Sequence, residues 1–142
     1  TKGSKPIAVV FNLGINDMAN ISNYISYMSD IASTLKSKNC KLFYMSVNPI
    51  NSVMITKAGK GARTEAQVRE FNSKIRSGLS LNYKYIDTYS VLMKKGYGTN
   101  SSYSGTDAAS DDGLHYTTKT FKRIYYYCIT YLNTGSIDAS IY

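Results

Sequence analysis

The sequence contains no tryptophan, one histidine and two cysteines in 142 residues. It has no apolar run near the roughly 20 residues that a membrane-spanning helix needs, and its start shows no signal-peptide pattern. The cysteines, Cys40 and Cys128, do not have the spacing of a metal site. We therefore predict no membrane span and no metal. Both cysteines are expected to be buried free thiols, although a disulfide between them stays open if the protein is exported.

Acidic residues are scarce, with 9 Asp and Glu against 17 Lys and Arg, for a net charge of +8. The basic residues are scattered, no run exceeds a pair, and no nucleic-acid-binding motif accompanies them. A solvated basic surface is favoured over nucleic-acid binding, and it would promote approach to acidic glycans or a bacterial cell wall. Fourteen tyrosines among many Ser, Asn and Thr residues are typical of secreted carbohydrate-active proteins. We expect an extracellular or cell-surface location in a bacterium.

Apolar runs alternate with amphipathic segments along the chain. The runs predict strands over 7–13, 41–47 and 84–88, parallel and adjacent in that order. Helices are predicted over 20–38 and 64–79, the first closed by Asn39 and the second opened by the capping-box pair Thr64 and Gln67. Strands that alternate with helices indicate a single α/β domain over 1–142, with a parallel sheet between two helical layers.

The last helix begins at Thr117 or Thr118 and ends near Gly135. Its expected buried face consists of Phe121, Ile124, Tyr125, Cys128 and Leu132. Before this helix, residues 95–112 are rich in Gly, Ser, Thr, Asn and Asp and show no periodicity. A loop of this length within a compact domain is usually functional.

Two short polar motifs follow predicted strands. The run VVFNLGIND ends in Gly14, Asn16 and Asp17, which either form an ordinary turn that caps a helix or place Asn16 at a catalytic sheet edge. The second motif, Asp112-Gly113-Leu114-His115, contains the only histidine of the chain. An Asp three residues before a His can hold one ring nitrogen and leave the other as a general base. Both motifs are expected at the carboxyl edge of the sheet.

These motifs resemble those of the SGNH (GDSL-type) hydrolases, and the resemblance covers nearly the whole chain. The segment 14–17 matches that family's Gly-x-Asn-Asp motif, and 112–115 matches its Asp-x-x-His motif. The resemblance implies a flavodoxin-like three-layer α/β/α fold and a serine esterase without a cofactor. Asn16 would stabilise an oxyanion. His115 would be the general base and acid, and Asp112 would orient it.

The chain departs from the family at its nucleophile, because it contains no Gly-Asp-Ser block and no candidate for the glycine of the second motif. We therefore expect a domain that is incomplete at its N-terminus and inactive by itself. In the family, a strand pairs beside the Gly-x-Asn-Asp strand. Strand 7–13 is thus expected to pair with the missing N-terminal segment or with a second copy of the chain.

The expected substrate is an acylated small molecule or carbohydrate, with acetyl the first choice of acyl group. Gly14 and Asn48, which follow the first two strands, are the candidate substrate-binding residues. Two other functions stay open. One is a non-catalytic module of the same fold that binds a glycan or cell-wall polymer. The other is a basic module that binds nucleic acid or cell-wall polymer, whose affinity would fall steeply with salt.

Overall fold

A computed structural model describes residues 5–61, 63–97 and 112–140. The elements, in chain order, are β1 (Ile7–Phe11), α1 (Ile21–Lys36), β2 (Cys40–Met45), α2 (Ser52–Lys57), α3 (Glu65–Gly78), β3 (Lys84–Ile86), α4 (Thr88–Lys94) and α5 (Thr118–Thr134). Most of the predicted functional loop, residues 98–111, lies outside the described residues. Residues 1–4 lie outside them as well.

The described strands form a parallel sheet in the order β1-β2-β3, with Val9 opposite Leu42 and Tyr44 opposite Tyr85. This confirms the predicted pairing and order, although every strand ends about two residues early. Where the backbone hydrogen bonds between β1 and β2 end, the Asn12 side chain continues the connection between the two chain segments. The Asn12 amide Nδ2 donates to the carbonyl of Ser46 at 2.8 Å. The strand ends are thus freed to form loops while they stay side by side.

Successive side chains of β2 point to opposite faces of the sheet, as the strand period of two requires. Leu42 and Tyr44 pack in one apolar cluster with residues of α1 and α3. Phe43 and Met45 pack in a second cluster with residues of α4 and α5. The parallel sheet is therefore covered by helices on both faces, and the protein belongs to the α/β class.

The helices α1 and α3 agree with their predicted spans to within two residues. Both capping-box bonds of α3 are present, from Gln67 N to Thr64 Oγ1 at 3.2 Å and from Thr64 N to Gln67 Oε1 at 2.9 Å. The C-cap of α1 is Ser37 rather than Asn39. Asn39 has a φ of +56° and lies directly before β2, so it redirects the chain into the strand.

Two short helices, α2 and α4, were not expected. The N-cap of α2 is Asn51, whose side chain accepts from Met54 N at 3.1 Å. The N-cap of α4 is Asp87, whose carboxylate accepts from Ser90 N at 3.0 Å. Each cap satisfies a backbone donor that the start of a helix otherwise leaves unpaired. The loop 46–51 separates α2 from the end of β2, whereas α4 begins two residues after β3 ends.

The buried face of α5 differs from the expected one. Phe121 is 51% exposed and Tyr125 is 67% exposed, so the prediction that both are buried is wrong. The buried residues of α5 are Thr120, Ile124, Tyr127 and Cys128. Because both position 125 and position 127 carry a tyrosine, the sequence of α5 is compatible with two overlapping choices of buried face. Packing of Tyr127 in the second cluster selects one of them and turns Phe121 outward.

Cys40 and Cys128 are both free thiols. Cys40 is partly exposed and packs beside the first apolar cluster, whereas Cys128 is buried in the second. Because the two clusters lie on opposite faces of the sheet, these residues do not form the disulfide that the sequence left open. Within the described residues, no helix is both long enough and apolar enough to cross a membrane.

Candidate active site

The chain segments that follow β1 and β2 meet the turn before α5 around one cavity of about 300 Å³. Asn16 and Gly14 line it from the first segment, Asn48 from the second, and His115 from the turn. The cavity thus lies at the carboxyl edge of the parallel sheet, where α/β proteins bind their ligands. Among the described residues that line it there is no Ser, Thr or Cys.

The turn at 112–115 is organised by a single carboxylate. Asp112 Oδ1 accepts the backbone N–H groups of Leu114 and His115, each at 2.9 Å. Asp112 Oδ2 lies 2.6 Å from His115 Nδ1. A carboxylate only accepts, so the neutral imidazole carries its hydrogen on Nδ1 and keeps a lone pair on Nε2. The Asp112 side chain is 20% exposed and that of His115 is 68% exposed. The ring is therefore oriented and accessible, as a general base must be.

The turn is also fixed to the loop that follows β2. Asn51 N donates to Gly113 O at 2.9 Å, and the Tyr116 hydroxyl donates to the carbonyl of Pro49. Gly113 has a φ of +71°, and a Cβ atom there would lie 2.5 Å from Asn51 O. Only glycine allows this close approach without strain.

Gly14 begins the turn that carries Asn16. Its φ is +107°, and an added Cβ atom would lie 2.5 Å from Phe71 Cζ. The preceding carbonyl, that of Leu13, accepts from the Tyr44 hydroxyl at 2.7 Å. Burial raises the pKa of Tyr44, so this hydroxyl keeps its proton and remains a donor. A hydrogen bond from Tyr44, a buried residue of the central strand β2, therefore holds the start of the turn in place.

Asn16 is exposed at the tip of this turn, which is closed by a bond from Asp17 N to Gly14 O at 2.9 Å. Its Oδ1 accepts from Arg63 Nη2 at 3.0 Å. The Nδ2 group is thus the donor that Asn16 can offer to the cavity it lines. Sequence reasoning missed Arg63, which lies 47 positions along the chain and belongs to no motif.

Asn48 presents an unsatisfied acceptor at the same edge. Its Nδ2 donates to Asn12 Oδ1 at 3.4 Å. Its Oδ1 is buried and has no hydrogen-bond partner among the described residues. A buried polar atom of this kind is costly unless a water or ligand satisfies it. Asn48 thus lines the cavity with an acceptor that is unpaired but buried.

The predicted site residues are thus placed together. Gly14, Asn16, Asn48 and His115 line the cavity, and Asp112 holds His115 from behind. The exposed ring of Phe121 also lines it and packs edge-on against Tyr116, with 6.1 Å between ring centroids. In the described part of the chain, no three His, Cys, Asp or Glu side chains cluster so as to hold a metal.

The fold and the site define an α/β protein with an Asp–His pair at the carboxyl edge of its sheet. No protein-family model matches the chain, and no curated protein matches it.

Proposed function

We propose that this chain is the C-terminal portion of an SGNH-type hydrolase with a flavodoxin-like fold, and that the complete domain is a serine esterase. One observation carries the proposal: the Asp112–His115 pair and Asn16, far apart in the sequence, line or support one cavity at the carboxyl edge of the sheet. Serine acyl transfer requires an oxyanion donor, a base and an orienting carboxylate in addition to the serine itself.

The chemistry assigns one role to each residue. His115 Nε2 takes the proton of the serine hydroxyl as its oxygen bonds to the acyl carbon. Asn16 Nδ2–H donates to the carbonyl oxygen, which becomes an oxyanion. When the bond to the alcohol breaks, His115 returns the proton to the leaving oxygen, and water repeats the sequence to release the acid. Asp112 stabilises the imidazolium that forms between these steps.

The proposed substrate is a small acyl ester, with an acetylated carbohydrate the first choice. The cavity volume of about 300 Å³ favours a short acyl group. Gly14 shapes its wall, and the unpaired Oδ1 of Asn48 would accept from a sugar hydroxyl that reaches it. The net charge of +8 favours an anionic polymer as carrier of the ester. Such a substrate agrees with the proposed location outside a bacterial cell or on its surface.

A second candidate is a non-catalytic module that binds a glycan or cell-wall polymer in the same cavity. The observation that favours it is the missing nucleophile. The sequence has no Gly-Asp-Ser block, and the described lining of the cavity has no Ser, Thr or Cys.

Hydrolysis of p-nitrophenyl acetate separates the two candidates. We expect negligible turnover by the 142-residue chain and clear turnover by a form of the protein extended at its N-terminus to include a Gly-Asp-Ser block. In that form, His115→Ala should abolish turnover, whereas Asp30→Asn, on the exposed surface of α1, should leave it unchanged. Robust turnover by the 142-residue chain would show that it contains its own nucleophile. If the natural N-terminal extension contains no Gly-Asp-Ser block and the extended form is inactive, the binding module is favoured.

A further inference from the structure

The hydrogen bond between Arg63 and Asn16 determines which end of the Asn16 amide faces Arg63. A guanidinium group has five N–H donors and no acceptor. The amide atom 3.0 Å from Arg63 Nη2 must therefore be the oxygen, Oδ1. The chemistry of the partner settles the assignment, and it leaves both Nδ2 hydrogens away from Arg63.

Arg63 is itself held in place. Its Nη1 donates to the carbonyl of Lys60 at 2.9 Å, so both terminal nitrogens are engaged. Its backbone directly precedes Thr64, the N-cap of α3 with a complete capping box. Lys60 N is in turn bonded to Ile55 O at 3.1 Å, which ties the loop to α2. The loop that carries the guanidinium is thus tied to a helix at each end.

No carboxylate of the described residues lies within ion-pair distance of Arg63. Its contacts are a backbone carbonyl and the amide of Asn16. The planar fork of arginine suits this pair of acceptors, and the single ammonium of lysine does not reproduce it. Arg63 therefore acts on Asn16 rather than serving as one half of a surface salt bridge.

We infer that Arg63 is a positioning residue, which holds Asn16 Oδ1 so that the Nδ2 hydrogens face the reacting oxygen. The inference rests on the proposed function, because it gives Arg63 a role in building the oxyanion site. Asn16 lies on an exposed turn, and without the guanidinium its side chain can rotate. Donors stabilise a transition state only when they are already oriented.

The first test is the mobility of the Asn16 side-chain amide, measured by 15N relaxation on the 142-residue chain. We expect an order parameter near that of rigid groups, about 0.85, and a fall below about 0.6 in Arg63→Met. Arg63→Lys should fall nearly as far. Arg76→Met is the matched control, because Arg76 lies on α3 over the Tyr85 ring at 5.6 Å. A mobile amide in the unchanged chain, or a rigid one in Arg63→Met, overturns the inference.

The second test is kinetic and uses the extended form that carries the serine. Arg63→Met should lower kcat for p-nitrophenyl acetate about 10- to 100-fold, as misplacement of a catalytic group does, with KM little changed. In an Asn16→Ala background the same substitution should cause no further loss. An unchanged kcat, or a full additional loss in that background, contradicts the inference. If no form is active, the proposed function fails, and the relaxation test still decides the position of Asn16.

Discussion

Both oxygens of the Asp112 carboxylate serve His115: Oδ2 lies 2.6 Å from its Nδ1, and Oδ1 accepts its backbone N–H at 2.9 Å. One side chain thus sets the conformation of the turn and the orientation of the ring that the turn carries. The two roles can be separated by substitution, because they use different oxygens.

Asp112→Asn is expected to reverse the tautomer of His115. The asparagine oxygen can still accept the backbone N–H groups, but its amide donates to Nδ1 and drives the imidazole hydrogen to Nε2. Long-range 15N–1H spectra, at a pH where the ring is neutral, should show Nδ1–H in the unchanged chain and Nε2–H in the variant. Asp30→Asn is the control. The same tautomer in the chain and in Asp112→Asn would refute the assigned hydrogen bond.

Gly14→Ala is expected to lower the free energy of unfolding by about 2–6 kcal/mol. Backbone strain at a φ of +107° contributes about 1–3 kcal/mol, and the clash with Phe71 contributes a similar overpacking cost of about 1–3 kcal/mol. Gly59→Ala is the control for strain alone, since its φ is +65° and nothing lies within 4 Å of an added Cβ. It should cost about 1–2 kcal/mol. Urea unfolding measures both, and equal losses would disprove the clash.

The two thiols are expected to react at different rates with a disulfide reagent such as Ellman's. Cys40 is partly exposed, whereas Cys128 is buried and burial raises its pKa. A raised pKa means less thiolate at mildly alkaline pH, so Cys128 should react only slowly until guanidinium unfolds the protein. In Cys128→Ala the slow phase should vanish and the fast phase should remain. A single rate for both thiols would argue against the described packing.

The outer edge of β1 is expected to pair with another strand. Within the described residues β1 pairs only with β2, and Ile7 is exposed. An apolar edge strand is a template for association. Sedimentation of the 142-residue chain should show a mass that rises with concentration, and Ile7→Lys should shift it toward monomer. Leu81→Lys, at an exposed position on the turn before β3, is the control. A monomer at every concentration would contradict pairing with a second copy.

Local signals were sufficient to predict β1, β2, β3, α1, α3 and α5. Apolar runs, the Thr64–Gln67 capping box and the glycine at 135 act within a few residues, so the sequence records them directly. The placement of Asn16 and His115 at one cavity could also be predicted, because parallel strands bring their carboxyl ends to one edge of the sheet.

Other features depend on packing between distant segments. The helix α2 has only six residues, too few for a periodic pattern. The exposure of Phe121 follows from the rotation of α5, which Tyr127 decides by filling the second cluster. The bond from Arg63 to Asn16 joins two loops that share no motif. Each of these needs the assembled tertiary structure before it can be stated.

Because Gly113 contacts the start of α2, the Asp–His turn depends on residues outside 112–115 for its conformation. Asn51 and Met54 do not line the cavity, yet a side chain at 113 would collide with both. If residues 112–115 were transferred to another protein, Asp112 and His115 would be present, but the segment that packs against Gly113 and orients them would be missing. The transferable module is the turn together with 49–55, and substitutions within that segment should covary with the turn it supports.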